Sequence, residues 1–76
     1  MNRTDIQNSN DAAALRAFAG RCEGHAKFYA ARAAKNRTST VADRVEHAEA
    51  VRLAADYADL AALATARAAA VAVIDR

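Results

Sequence analysis

Leu15, Phe18, Cys22, Ala26, Tyr29 and Ala33 recur at steps of three and four residues, the spacing that lines one face of an α-helix. The spacing predicts a first helix over about 11–35. Ser9, Asn10 and Asp11 stand just before Ala12-Ala-Ala-Leu and supply side-chain oxygens for its N-cap. Asn36-Arg-Thr-Ser is the one convincing turn signal, so a turn is expected at 36–39. Thr40 followed by Asp43 resembles a capping box with aspartate in place of the usual glutamate or glutamine. From there nothing breaks the chain, and a second helix is expected over about 40–75, about 50 Å long at 1.5 Å per residue. Leu53, Tyr57, Leu60, Ala64, Val71 and Ile74 line one side of it, with Val45 nearer its start.

These patterns predict an all-α fold: an αα-hairpin of two long antiparallel helices occupying 10–76, preceded by a flexible polar lead at 1–9 in which Ile6 is a candidate anchor. The second helix outruns the first, so its last turns are expected to need cover from another chain.

Each helix carries a second seam of small residues. On the first, Ala13, Ala17, Gly20, Gly24 and Ala31 fall together, with Phe28 beside them, roughly opposite Leu15 and Cys22. On the second, Val51, Ala55, Ala58, Ala62, Ala66, Ala69 and Val73 lie roughly opposite Leu53 and Leu60. A glycine inside a helix costs about 1 kcal/mol relative to alanine, which close helix approach would offset. The expectation is self-association, most simply a twofold dimer forming a four-helix bundle, using Ala13, Ala17, Gly20, Gly24 and Phe28 from one helix and Val51, Ala55, Ala58, Ala62, Val71 and Ile74 from the other. Abundance of alanine as a mere helix former is the bland alternative. Glu49, Asp56 and Arg67 sit near the larger apolar seam, where polar groups either fix register or reach out to its edge.

Composition sharpens this picture. Nearly a third of the 76 residues are alanine, with no proline, no tryptophan and two glycines. Helix is favoured almost everywhere, but alanine offers little area to bury, and a lone monomer is expected to be of marginal stability. The net charge is +2, too small to diagnose nucleic-acid binding. Its distribution is uneven: seven cations face three carboxylates up to Thr38, and four face six from Ser39 onward. Such halves suit antiparallel pairing. The polar N-terminal residues lack the apolar stretch of a secretory signal, and Leu60–Ile74 is short, alanine-rich and interrupted by Arg67, so neither a signal nor a membrane span is expected. A cytoplasmic location is the default, and the single Cys22 excludes an intrachain disulfide.

Candidate chemistry is sparse. Cys22 and His25 share a helix side, and with His47 and Glu46 or Glu49 they would make four zinc ligands if His25 stood level with Glu49. That set has no recognised spacing, and small core residues with boundary histidines are the favoured reading. No metal or cofactor is expected. A Cys–His nucleophile would need an orienting group and an oxyanion site made by loop amides, and one short loop offers neither, so no enzyme is expected. Asp56 and Asp59 read as a solvated edge, and no glycine-rich phosphate cradle is present. The usable surface feature is the cation set Arg16, Arg21, Lys27, Arg32, Lys35 and Arg37. By exclusion, the sequence points to a non-enzymatic protein–protein interaction module, a regulator or inhibitor docking on a macromolecular partner, of the kind mobile elements and phages use against host machinery. A nucleic-acid-associated protein using the basic helix and turn, or a structural assembly subunit, are the alternatives.

Overall fold

The computed structural model describes residues 1–36 and 38–74. Among them the protein is all-helical, with α1 at Arg3–Asn8, α2 at Ala12–Lys35 and α3 at Val41–Ile74 packed against each other. The molecule is a slab of 55 × 19 × 13 Å, hardly thicker than one helix with its side chains.

The caps explain where the helices begin. Asp11 Oδ1 accepts the Ala14 N–H at 3.0 Å and starts α2. Thr40 Oγ1 accepts the Asp43 N–H at 3.0 Å and starts α3. The carboxylate of Asp43 accepts from the Ser39 hydroxyl at 3.2 Å, a variation on the expected reciprocal box. α2 runs as one unbroken helix through Gly20 and Gly24, neither of which has a positive φ.

The N-terminal lead differs from expectation. Residues 3–8 lack hydrophobic periodicity yet form a helix, because Asn2 and Asp5 make a complete capping box: the Asp5 N–H donates to Asn2 Oδ1 at 2.8 Å and the Asn2 N–H donates to Asp5 Oδ2 at 3.0 Å. Ile6 then reaches the core and is only 1% exposed. The principal cluster joins Ile6, Leu15, Ala19, Ala64, Ala68 and Val71, with Phe18, Leu60 and Leu63 packed on its margin.

Two second-helix assignments need correction. Val71, expected both on the inner apolar side and at an interface between copies, is buried in this cluster beneath α1, which agrees with the first assignment and corrects the second. Val45, expected to line the side facing the first helix, is 61% exposed, and Ile74, placed on that side and also among the projecting last turns, is 73% exposed, since both lie beyond the stretch that α1 and α2 cover. The membrane expectation also changes: α3 continues unbroken, and by length and composition alone it is long and apolar enough to cross a membrane, with 22% of the 18-residue stretch concerned buried inside the fold.

Arg67 holds the pieces in register. Its Nε donates to the Ser9 carbonyl at 2.9 Å and its Nη2 to Asn10 Oδ1 at 3.0 Å, tying the α1–α2 connection to α3. Because Leu15 is fully enclosed, Leu15→Ala is expected to lower folding stability by about 2–4 kcal/mol, and Ile6→Ala by a similar amount. Urea titration followed by circular dichroism checks both; an unchanged midpoint for Ile6→Ala would mean that α1 does not dock in solution.

Candidate interaction surfaces

Away from the principal cluster, α2 and α3 are joined by aromatic rings. Tyr57 of α3 lies between His25 and Tyr29 of α2, with ring centroids 4.9 Å from the first and 5.9 Å from the second, both stacked. Phe28 meets Tyr29 edge-on at 5.2 Å. Such pairs contribute about 0.5–1.5 kcal/mol each beyond their buried area. The signal was present in the sequence as a histidine and a tyrosine four residues apart, which places both on one helix side.

This ladder overturns the register assumed for a zinc cluster. His25 stands beside Tyr57 and not Glu49, a displacement of about two helical turns. His47 Nδ1 lies 2.9 Å from the Ala33 carbonyl oxygen. Among the described residues, no group of three or more metal-ligating side chains converges. Cys22 is 2% exposed, and burial pushes its thiol above the ordinary value, partly offset by the nearby Arg21 guanidinium. A raised thiol pKa opposes thiolate formation, so Cys22 behaves as a packing residue.

The cations of α2 do not pair as the charge distribution suggested. Arg16, Arg21, Lys27, Arg32 and Lys35 are all exposed, and among the described residues the ion pairs are Arg3 with Asp59 at 3.9 Å and Arg52 with Asp56 at 4.0 Å. Neither joins α2 to α3. The Arg21 guanidinium instead lies over the Phe18 ring, 5.8 Å from its centroid. Arg37, the sixth cation of the expected set, lies outside the described residues. Arg32 shares a cleft of about 150 Å³ with Tyr29, Glu46, Glu49, Ala50 and Leu53, so carboxylates border the basic strip on one side.

The small-residue seams lie on the surface as expected from the spacing, Val71 excepted. Ala13, Ala17, Gly20 and Gly24 are exposed, as are Ala55, Ala58 and Ala62, while Phe28 is 59% and Val51 49% exposed. A methyl group built at either glycine would meet nothing within 4 Å. Packing within one chain therefore gives no reason for glycine at these positions. A broad apolar groove of about 640 Å³ opens between the helices on the side of Ala26, Ala58, Ala62, Ala66 and Ala69, with Glu23 and Lys27 on its α2 wall.

The chain matches no protein-family model, and nothing significantly similar is found among curated proteins or solved structures.

Two outcomes follow from this geometry. Gly20→Ala and Gly24→Ala are each expected to raise the folding stability of the isolated chain by about 0.5–1 kcal/mol, read from urea midpoints at a concentration where the chain is monomeric. Cys22 carries a raised pKa in the folded state, so its contribution to stability is complete below the ordinary thiol range and is lost as pH rises through the raised value. Stability measured from neutral to strongly alkaline pH is expected to fall less steeply in Cys22→Ala than in the natural chain; parallel curves would show that the thiol is not buried in solution.

Proposed function

We propose that this chain is a non-enzymatic helical interaction module acting as a regulator or inhibitor in the cytoplasm. In this reading α2 and α3 form an antiparallel αα-hairpin, two hairpins associate into a four-helix bundle, and the cations of α2 dock on the acidic surface of a protein partner. The observation that carries it is the set of five exposed cations on α2, none of which forms an ion pair with a carboxylate of α3 among the described residues. Charges left free in this way are available for steering and registering a partner of opposite sign. The exposed ring of Phe28 supplies an apolar contact one helical turn from Arg32.

The second reading is a nucleic-acid-associated protein, favoured by the same combination of an exposed aromatic ring and neighbouring cations. Glu46 and Glu49, in the cleft that Arg32 lines, interrupt the basic strip on one side, which disfavours a continuous run of phosphates more than a protein surface with separate acidic groups. This ranks the protein partner first. A purely structural subunit is a third reading, separated by a mass that grows beyond the dimer with concentration.

Affinity capture with the natural chain and with an R21A/R32A/K35A variant, before and after nuclease treatment, tests the ranking. The expected result is a protein retained by the natural chain, held at least about tenfold more weakly by the variant, and indifferent to nuclease. Retention that nuclease abolishes would move the assignment to nucleic acid, and equal retention by the variant would remove the basic strip as the docking site.

A further inference from the structure

The molecule exposes more surface than its size requires. A compact monomer of 8.0 kDa is expected to have an accessible surface of about 4,450 Å². This chain has 5202 Å², an excess of about 750 Å². That excess is close to the roughly 800 Å² that each partner contributes to a standard stable interface. The groove between α2 and α3 is where a helix can be received, because its floor on α3 is Ala58, Ala62, Ala66 and Ala69, whose side chains let backbones approach closely.

The wall of the groove indicates what fills it. Glu23 and Lys27, one helical turn apart on α2, both line it, and among the described residues they are not ion-paired, although glutamate four residues before lysine is the favourable order within a helix. One turn of opposite charges is self-complementary under a twofold rotation. An axis passing between them sets Glu23 of one copy opposite Lys27 of the other. That level is near the middle of both long helices, since His25 stacks on Tyr57, so the same axis also gives the greatest overlap between two slabs.

We propose that the occupant of this groove is a second copy of the chain, packed groove to groove about a twofold axis beside Ala58, with Glu23 and Lys27 paired across it. The proposal rests on the four-helix-bundle reading above, keeps Ala58 and Ala62 of its α3 face, and replaces the α2 edge of Ala13, Gly20 and Gly24 with the groove wall of Glu23 and Lys27. The outer edge of α2, with Gly20 and Gly24, remains on the outside of the resulting four-helix arrangement.

Cysteine cross-linking in a Cys22→Ala background, alongside native mass spectrometry, tests it. Ala58→Cys is expected to give a covalent dimer under mild oxidation and Gly20→Cys is not. Glu23→Lys and Lys27→Glu are each expected to weaken the dimer about fivefold by placing like charges opposite one another, and the double exchange to restore it to within about twofold, which a folding defect would not do. A dimeric mass with cross-linking at Gly20→Cys and none at Ala58→Cys would overturn the groove while leaving self-association intact. A monomeric mass at high micromolar concentration would overturn both.

Discussion

Leu15 is the point on which the three helices converge. It is fully enclosed, clustered with Ile6 from α1, Ala19 from its own helix and Ala64, Ala68 and Val71 from α3. In a chain whose apolar residues are mostly alanine, this is where several large side chains meet, and the packing of α1 has no meaning without it. A methyl group buries little area, so the alanines around Leu15 act chiefly by letting the α2 and α3 backbones come close enough to enclose one large side chain. The stability of the fold is therefore concentrated at one end of the slab.

Toward the other end the contact changes character. His25, Tyr57 and Tyr29 replace aliphatic packing with stacked rings, and beyond them Ala33 and Ala50 are buried while Val41 and Val45 lie open. Among the described residues no ion pair joins α2 to α3, although Arg32 shares a cleft with Glu46 and Glu49, because the sides that meet most closely are occupied by apolar groups and rings. Exposed pairs of this sort add little to stability, so their separation costs little, and the charge remains on the surface. The same division explains why the features available for recognition are on the flanks and outer edges of α2 and α3.

Much of the fold was legible in the pattern of residues. The periodic positions Leu15, Cys22 and Ala33 are buried as their spacing required, and Asp11 and Thr40 cap the helices they precede. α1 escaped because a six-residue helix has too few positions to show a period; its signal was the reciprocal pairing of Asn2 with Asp5. The register between α2 and α3 also escaped, since a turn position does not determine how two helices slide, and the two-turn error removed the proposed neighbours of His25. Val71 was placed rightly on the inner side by its spacing and wrongly toward another copy, because the cover supplied by Ile6 was not foreseen. Surface positions such as Gly20 and Gly24, and the groove's floor of Ala58, Ala62, Ala66 and Ala69, could be located from spacing alone, whereas the α2 residues that wall that floor depended on the register and could not.

The clamp from Arg67 to Ser9 and Asn10 joins residues 58 and 57 positions apart. The entropy of closing a loop rises with its length, so a contact across most of the chain forms readily only after α2 and α3 have brought their ends together. The clamp therefore depends on the pairing of the two long helices, and α1 adds to that pair through Ile6, its buried side chain. Separating α3 from the start of α2 breaks both bonds at once, so a single guanidinium group reports on the pairing of helices that lie far apart along the chain.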